Sequence, residues 1–385
     1  MIQSLRSKVL GLTFLCFSLF CSMQQSNAQL PAAPSHIVIV IMENYSYTDI
    51  IPNSLAPYIN GLVTAGDPYT AVFTKSYAIE HPSQPNYLDF FSGSNQGNTD
   101  DNPPAGYPFT TDNLASELID AGKSFITYSE DLPSLGFSGV SSGNYVRKHN
   151  PAVYWLGTGT HQLPNSVDVP FTSFPTAANY STLPTISYVV PNEINDMHNL
   201  SIPAGDTWLK TKLDTFKQWS IAHNSLYIIT FDEDDFLGTN NIPTIFIGPM
   251  VQGGTYNFTF NHFNVLRTLE DFYSLRHAGT AADSSDILGC WRLHAGVNNV
   301  NNAPTTFNVM PNPATDNVYF TSSEPLTQPL NLLITDVLGR EMGSYKMNDF
   351  KTEINTSSFA SGVYCYKIIG ANNSINNGKF VINRK

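Results

Sequence analysis

The sequence is poor in cysteine. Only four of its 385 residues are cysteines, and Cys16 and Cys21 lie in the N-terminal segment. The other two, Cys290 and Cys365, are far apart in the chain, so no disulfide framework is expected. Stability must therefore come from the burial of apolar surface. The chain is long enough to form one large core and one small core.

Basic residues are also scarce. The chain has 19 Lys and Arg against 31 Asp and Glu, which gives a formal net charge of −12 with histidine neutral. A protein that binds nucleic acid needs a basic face, so nucleic-acid binding is not expected. An anionic substrate is compatible with this balance, because a bound metal ion can supply positive charge locally.

Long apolar runs are rare as well. The run at residues 9–20 follows Arg6 and Lys8 and precedes the small residues at 26–28. This is the pattern of a secretory signal peptide, which we predict at residues 1–28. The run is too short to span a bilayer, and no later stretch approaches the required length. The sequence therefore predicts an exported protein without a transmembrane segment.

Strand-like and helix-like segments alternate through the first part of the chain. The continuous apolar run SHIVIVIM at residues 35–42 predicts a strand buried on both faces. Such alternation predicts an α/β fold, with a mainly parallel sheet flanked by helices. Further strands are expected at 185–190, 225–231 and 243–248, and helices at 111–122, 206–223 (capped by Asp206) and 261–275.

The composition changes near residue 300. Residues 296–304 are rich in Asn and predict a linker between a first domain at 29–295 and a second at 305–385. The second domain has short alternating segments, which predict a small C-terminal β-sandwich. Within the first domain, residues 100–180 are rich in Ser, Gly, Pro and Tyr. We expect them to form surface loops that wall a pocket.

Polar side chains follow three of the predicted strands. Because the carboxyl ends of parallel strands meet at one edge of a sheet, these side chains are expected to lie together. Carboxylates gathered there would repel one another without a cation, and oxygen ligands suit a hard divalent ion. Taken singly, the same residues could be turns or a solvated acidic loop. They are Glu43, Asn44, Asp196, His198, Asp232 and Glu233.

Ser83 lies in the rigid stretch IEHPSQPNYLDFFSG at residues 79–93 and has two interpretations. Pro82 and Pro85 could punctuate a loop, with Ser83 capping the helix that follows. Alternatively, the prolines place the serine hydroxyl at a helix N-terminus, where free N–H groups and the helix dipole favour a phosphate. The local pattern favours neither interpretation.

The chain resembles a known family over about residues 35–288. Its motifs VIVIMENYSYTDI, HPSQPNYLDFFSG, VVPNEINDMHN, TFDEDD, IPTIFIGPMV and GTYNFTFNHFNVLRTLEDFY occur in the family's order. The family is the phosphoesterase family of acid phosphatases and bacterial phospholipases C, in the alkaline phosphatase superfamily. The resemblance implies an alkaline-phosphatase-like sheet. Residues 45–49 depart from the family's usual first motif, which affects substrate contacts rather than metal ligands.

The resemblance also implies roles for individual residues. Ser83 would be the nucleophile, made reactive by metal coordination, and would form a phosphoserine intermediate. Asn86 would donate to a phosphate oxygen. The implied ligands of the divalent metal ion are Glu43, Asn44, Asp232 and Glu233. Asp196, His81, His198 and His262 would surround the phosphate and leaving group.

One of these three histidines would protonate the leaving group, and the sequence does not say which. A second ion near Asp196, His198 and His262 is compatible with two-metal members of the superfamily. The remaining histidines, including His149, are expected to be structural or exposed.

The C-terminal segment resembles a second module. NVMPNPATDNVYF, ITDVLGREM, INTSSFASGVYCYKI and GKFVINRK are similar to the type A sorting domain of the type IX secretion system of Bacteroidetes. A carbohydrate-binding sandwich is the alternative. The resemblance implies a protein handled by the type IX machinery and released, or held at the cell surface.

Together these features predict a secreted, metal-dependent phosphomonoesterase that acts on phosphate esters. A phospholipase C or phosphodiesterase of the same family is the alternative. An inactive binding module is a third, and the complete set of motif residues argues against it.

Overall fold

The computed structural model describes residues 30–64, 66–199, 201–292, 307–322, 326, 329–369 and 374–384. The predicted signal peptide and linker lie outside the described residues. Among the described residues, no helix is both long enough and apolar enough to cross a membrane.

One large sheet forms the centre of the N-terminal part. Its strands are β1 (Ile37–Met42), β2 (Thr70–Tyr77), β3 (Phe125–Ser129), β6 (Asp168–Pro170), β7 (Ile186–Val190), β8 (Leu226–Phe231), β9 (Asn241–Ile247), β10 (Gly254–Tyr256) and β11 (Phe260–Asn261). The order is β10-β2-β9-β8-β1-β7-β3-β6, with β11 beside β2. A separate hairpin pairs β4 (Ser141–Ser142) with β5 (Tyr145–Val146).

The sheet is mainly parallel, as predicted. Strand β1 is central and pairs in parallel with β7 and β8, whereas β9 runs antiparallel to both of its neighbours. Every residue of β1 is buried, because alternate side chains enter cores on opposite faces of the sheet. Helices cover both faces: α1 (Tyr47–Ile50), α2 (Pro57–Leu62), α3 (Ser83–Ser92), α4 (Leu114–Asp120), α5 (Ile202–Ala222) and α6 (His262–Phe272).

The predicted cap of α5 is wrong. The helix begins at Ile202, one turn before Asp206, with Ser201 as the capping residue. The Asp206 carboxylate instead accepts hydrogen bonds from the N–H groups of Tyr58 and Ile59, at 2.9 and 2.8 Å. It therefore satisfies free N–H groups at the start of α2, a contact between residues about 150 positions apart.

Residues 100–180 are more than surface loops. They include α4 and the strands β3 and β6, and they bury the aromatic rings of Tyr145, Tyr154 and Trp155. Short 3-10 helices at Arg147–His149 and Pro151–Trp155 connect these buried rings. The segment is therefore not only surface loop, because its apolar side chains also complete one of the cores.

The C-terminal part contains two antiparallel sheets around their own core, as predicted. One sheet has the order β12-β13-β16 and the other β15-β14-β17-β18. The strands are β12 (Phe307–Met310), β13 (Asn317–Ser322), β14 (Leu330–Asp336), β15 (Glu341–Met347), β16 (Lys351–Asn355), β17 (Gly362–Ile369) and β18 (Ser374–Ile382).

Candidate active site

Ser83 is the first residue of α3 and is buried. Pro82 occupies the capping position, and the Ser83 hydroxyl makes no capping hydrogen bond. Instead, its oxygen lies 2.9 Å from a carboxylate oxygen of Glu233 and 3.2 Å from one of Glu43. The capping interpretation is therefore wrong, and the hydroxyl faces a cluster of acidic side chains.

Asn86 holds the segment that leads to Ser83. Its side-chain oxygen accepts hydrogen bonds from the N–H groups of Ile79 and Glu80, both at 3.0 Å. Its side-chain nitrogen donates to the carbonyls of Glu80 and Pro82. All of its polar groups are thus engaged by backbone within seven residues. A direct contact between Asn86 and phosphate stays a prediction, and the structure gives the residue a positioning role.

The four residues predicted as metal ligands lie together beyond the ends of β1 and β8. We call Glu43, Asn44, Asp232 and Glu233 the carboxylate group. The two strands pair in parallel with Met42 opposite Phe231, so the residues that follow them emerge at the same level. The Asn44 N–H donates to Asp232 at 3.2 Å, with Asn44 in the left-handed region at a φ of 55°.

Two oxygen atoms of the carboxylate group fit a cation. Asn44 Oδ1 and Asp232 Oδ2 are buried and have no hydrogen-bond partner among the described residues. Buried polar atoms are usually satisfied, so such a pair beside two further carboxylates indicates a missing partner. Amide and carboxylate oxygens are the donors that hard divalent ions prefer. The residues present therefore fit the predicted metal ion.

Burial raises the pKa of every carboxyl in this group. For Glu43 and Glu233, the loss of solvation is the largest cause and the charge of Asp232 adds to it. For Asp232 the loss of solvation outweighs the hydrogen bonds that it accepts. The repulsion between carboxylates that the sequence predicts thus contributes less to these pKa values than burial does. A bound cation would favour the ionised forms again.

His81 lies at the edge of the carboxylate group. Its Nδ1 is 2.5 Å from Glu233 Oε2, and its Nε2 is 3.3 Å from Asp234 Oδ1. The ring stacks on Phe236, with centroids 4.2 Å apart. The side chain is 29% exposed, so it reaches the opening of the site.

His262 is placed differently. It is buried at the start of α6, where Nε2 donates to the carbonyl of Phe231 at 3.0 Å. Burial lowers the pKa of His262 to about 4, so the ring is neutral near pH 7. Its Nδ1 has no partner among the described residues. The predicted catalytic contact of His262 stays untested, and the ring packs against Phe90 inside the core.

A second set of polar residues lies on the other side of Glu43. We call Asp101, Lys148, His149, Asp196 and His198 the histidine–lysine group. The backbone carbonyl of Asp196 accepts the Glu43 N–H at 2.9 Å, which joins the loop after β7 to the end of β1. Asp196 Oδ1 in turn accepts the His198 N–H at 2.8 Å.

His149 was missed by sequence reasoning. The ring is buried, with Nε2 3.3 Å from Glu43 Oε1 and Nδ1 3.2 Å from Asp196 Oδ2. Neither nitrogen has a hydrogen bond of good geometry among the described residues. Ligand atoms of Glu43, His149 and His198 all lie within 4.8 Å of one another, so this triad could hold an ion. No strand end or spacing in the sequence marks His149, because it lies on the short 3-10 helix Arg147–His149.

Lys148 and Asp101 complete the histidine–lysine group. Lys148 Nζ donates to Asp101 Oδ2 at 2.9 Å and lies 3.3 Å from His198 Nε2. Asp101 Oδ1 accepts the backbone N–H of Gln84, the residue after Ser83, at 3.0 Å. The ammonium would meet a second metal ion at His198 as a like charge, which favours a single ion in the carboxylate group.

Glu43 connects the two groups. Its Oε2 faces Ser83, whereas its Oε1 accepts from the Tyr87 hydroxyl at 2.5 Å and faces His149. Tyr87 stacks on the His149 ring, with centroids 5.3 Å apart. A buried serine hydroxyl at a helix start, oxygen ligands for a cation and a nearby ammonium together suit displacement at an anionic phosphorus centre.

Fold and site thus define a hydrolase that acts on phosphoric ester bonds. The chain belongs to the phosphoesterase family, whose profile matches residues 52–276. Residues 308–383 match the secretion system C-terminal sorting domain. Both predicted resemblances are confirmed, and the sorting domain indicates export through type IX secretion to the cell surface or beyond.

Characterised relatives include phosphatases. The chain is 43% identical over 257 residues to a phosphatidylinositol-3-phosphatase of Mycobacterium tuberculosis, covering 67% of this chain and 83% of that protein. It is 31% identical to an acid phosphatase of Aspergillus fumigatus, covering 56% of this chain but 51% of the relative. The chain thus spans about half the length of the acid phosphatases it matches.

A solved structure of an alkaline phosphatase superfamily protein from Vibrio parahaemolyticus aligns with a TM-score of 0.48 at 14% identity. The alignment covers 77% of each chain.

Proposed function

We propose that the protein is an exported phosphomonoesterase that depends on a divalent metal ion and acts through a phosphoserine at Ser83. The observation that carries the proposal is the position of the Ser83 hydroxyl. It lies at the start of α3, within 3.2 Å of two buried carboxylates and beside the unpartnered ligand oxygens of the carboxylate group.

In the first step, the Ser83 oxygen attacks phosphorus and its proton passes to the facing carboxylate of Glu233. The new Oγ–P bond forms in line with the ester bond that breaks, and the leaving oxygen takes up a proton. Water then attacks the phosphoserine, the Oγ–P bond breaks, and one proton of the water returns to the Ser83 oxygen as phosphate is released. A divalent ion bound by Glu43, Asn44, Asp232 and Glu233 would stabilise the serine alkoxide and the phosphoryl charge.

Among the three candidate histidines, His81 is the proposed proton donor to the leaving group. It is partly exposed at the opening and lies against Glu233, which receives the serine proton. His262 is buried and neutral. His198 Nε2 faces the Lys148 ammonium and therefore accepts a hydrogen bond. General acid assistance of this kind contributes about 10²–10⁴-fold in rate.

The surface beside His81 favours a large, partly apolar leaving group. Phe236 is 59% exposed and Leu237 is 87% exposed, and Phe236 stacks on the His81 ring. A relative is named a phosphatidylinositol-3-phosphatase, so a phosphoinositide monoester is the first natural substrate to test. Because exposed apolar side chains would also suit a lipid or diester substrate, the alternative of a phospholipase C or phosphodiesterase is tested as well.

The test is a substrate panel with and without a chelator. It compares p-nitrophenyl phosphate, its bis ester, a phosphatidylinositol 3-phosphate and phosphatidylcholine. We expect turnover of the monoesters that chelation removes and added metal restores. Acid quenching during turnover should trap a phosphorylated peptide containing Ser83. A phosphopeptide from another region, or full activity after exhaustive chelation, would overturn the proposal.

A further inference from the structure

We propose that Lys148 binds the phosphoryl group of the substrate and thereby selects doubly charged monoesters, with Asp101 and His198 as the residues that position it. This inference rests on the proposed phosphatase function and deepens it. It concerns a residue that neither strand ends nor the six motifs indicated.

The first argument is the unused hydrogen-bonding capacity of Lys148. An ammonium carries three N–H donors. One is directed to Asp101 Oδ2 at 2.9 Å and a second to His198 Nε2 at 3.3 Å. The third has no partner among the described residues. The side chain is 18% exposed, so it is neither sealed in the core nor free in solvent. The ammonium is therefore fixed in direction with one donor available.

The second argument is where that donor lies. Asp101 connects Lys148 to the backbone N–H of Gln84, and Gln84 follows Ser83 directly. On the other side, His149 follows Lys148 in the chain and faces Glu43, whose second oxygen faces Ser83. The contacts therefore form a closed ring that starts and ends at Ser83. A phosphoryl group on the Ser83 oxygen would lie beside this ring.

The third argument is that Asp101 is anchored. The side-chain amide of Gln84 donates to the carbonyls of Asp100 and Asn102, on either side of Asp101. The Gln84 side-chain oxygen in turn accepts from the Tyr154 hydroxyl. The helix that carries the nucleophile thus also fixes the residue that orients the ammonium. The position of Lys148 is consequently fixed relative to Ser83.

His198 supports the same orientation. Its Nδ1 lies 2.9 Å from the side-chain oxygen of Asn199, which can only accept, so Nδ1 carries the proton. Nε2 is then the acceptor for Lys148. This tautomer makes His198 a positioning residue that directs the ammonium.

Charge explains the selectivity. The charge of Lys148 acts on Glu43, Asp196 and Glu233, and His198 also acts on Asp196. The neighbouring Arg147 is turned away, because its guanidinium is buried against Tyr107 and donates to the carbonyl of Ser138. A monoester dianion offers one more negative charge to the ammonium than a diester monoanion does. Removal of the ammonium should therefore weaken the monoester more than the diester.

The experiment measures binding and turnover in parallel, on protein supplied with divalent metal. Lys148→Met is compared with Lys148→Arg, which keeps the charge, and with Lys210→Met, an exposed lysine on α5. Inorganic phosphate affinity is measured by calorimetry, and kcat/KM is measured for p-nitrophenyl phosphate and its bis ester. For Lys148→Met we expect phosphate affinity and the monoester-to-diester ratio to fall about tenfold each, the scale of one charged hydrogen bond.

The positioning role has its own readout. Asp101→Asn keeps an acceptor for the Gln84 N–H but removes the charge that orients Lys148. We expect a severalfold rise in KM for the monoester with kcat nearly unchanged, whereas a merely structural role would lower the unfolding midpoint. Lys148→Arg should recover part of the phosphate affinity.

Equal losses for both esters, or unchanged phosphate affinity in a folded Lys148→Met variant, would overturn the assignment. If Lys148→Met does not fold, the same comparison is made with Asp101→Asn and Lys148→Arg, and unchanged KM values in both would overturn it. Wild-type protein that hydrolyses neither ester would refute the proposed function, while the calorimetric comparison would still decide the role of Lys148.

Discussion

The carboxylate group and the histidine–lysine group differ in construction, although Glu43 of the first contacts His149 of the second. The first follows the paired strands β1 and β8, has three buried carboxyl groups, and presents oxygen acceptors. The second is carried by loops and a 3-10 turn, is partly exposed at Lys148, and includes hydrogen-bond donors. The first group, rich in acceptor oxygens, suits a tightly held cation. The partly solvated side suits an anion that must enter and leave.

The largest change in rate is expected at Ser83, whose hydroxyl faces the carboxylate group. Ser83→Ala should lower kcat by about 10⁴–10⁶-fold, as loss of a nucleophile does elsewhere. Phosphate and metal should still bind, because the substitution removes only the Ser83 hydroxyl and leaves the oxygen atoms of the carboxylate group in place. Ser92→Ala, at the far end of α3, is the control. Substantial turnover by folded Ser83→Ala would show that Ser83 is not the nucleophile.

Asp232→Asn tests the carboxylate group directly. One unpartnered ligand oxygen becomes an amide group, so metal affinity and activity should fall together. The loss should be at least the roughly 10–100-fold caused by changes to outer-shell partners. Excess metal should restore part of the rate. Asp235→Asn, three residues after Asp232 and outside the carboxylate group, serves as the control. Metal titration by calorimetry checks the result, and unchanged affinity would show that Asp232 does not hold the ion.

His149→Gln tests whether the two sides hold one ion or two. We expect activity to fall about tenfold, the scale of an outer-shell change, because Glu43 loses a neighbour. Metal content should stay the same, because Lys148 supplies the positive charge on this side. Elemental analysis of wild-type and variant protein checks this. Loss of a bound ion from the variant would mean that the triad of Glu43, His149 and His198 holds a metal.

Two buried acids outside both groups show what burial does without a metal site. Burial raises the pKa of Glu117 to about 8 and that of Glu270 to about 9, from an ordinary value of 4.5. The folded state therefore keeps protons that the unfolded state releases near pH 4.5. The contribution of these two groups to the free energy of unfolding is therefore fully present below about pH 4.5 and is lost as pH rises toward 8–9.

Glu270→Gln should flatten that decline. Urea unfolding midpoints at several pH values between about 5 and 8 provide the measurement, with the exposed Asp283→Asn as the control. A wild-type midpoint that rises with pH across this range would contradict the predicted fall in stability. An unchanged slope in Glu270→Gln would assign the decline to other acids.

The smallest effect is expected from removing the C-terminal sandwich. Every residue of the two groups precedes residue 293, and the sandwich has its own core. A chain ending at Ala295 should keep kcat/KM within about twofold, in line with the small effect of changes away from a site. A folded truncated enzyme without activity would show that the C-terminal sandwich is required for catalysis.

The carboxylate group could be predicted from the sequence because its residues directly follow strands that have a recognisable apolar pattern. A buried β-branched run identifies β1, the next residues are Glu43 and Asn44, and parallel pairing brings Asp232 beside them. The position of Ser83 followed from its prolines and from the family resemblance. The spatial grouping of these residues is as expected, while their catalytic roles stay predictions.

The histidine–lysine group could not be found in the same way. Lys148 and His149 lie on a three-residue turn in a segment without a periodic pattern, and only tertiary packing brings them to Glu43. Asp206 shows the same limit, because its partners at the start of α2 are about 150 residues away. The causes of the pKa shifts were also hidden, because burial depends on the whole packed core.

With the proposed ion and phosphate both bound, the two oxygens of Glu43 would couple the binding of one to the binding of the other. An ion that draws charge from Oε2 changes what Oε1 offers to Tyr87 and His149. Whatever factor the ion adds to phosphate affinity, phosphate must add to ion affinity. Product inhibition and metal retention are then a single coupled property, and an enzyme saturated with phosphate should be the slowest to lose its metal to a chelator.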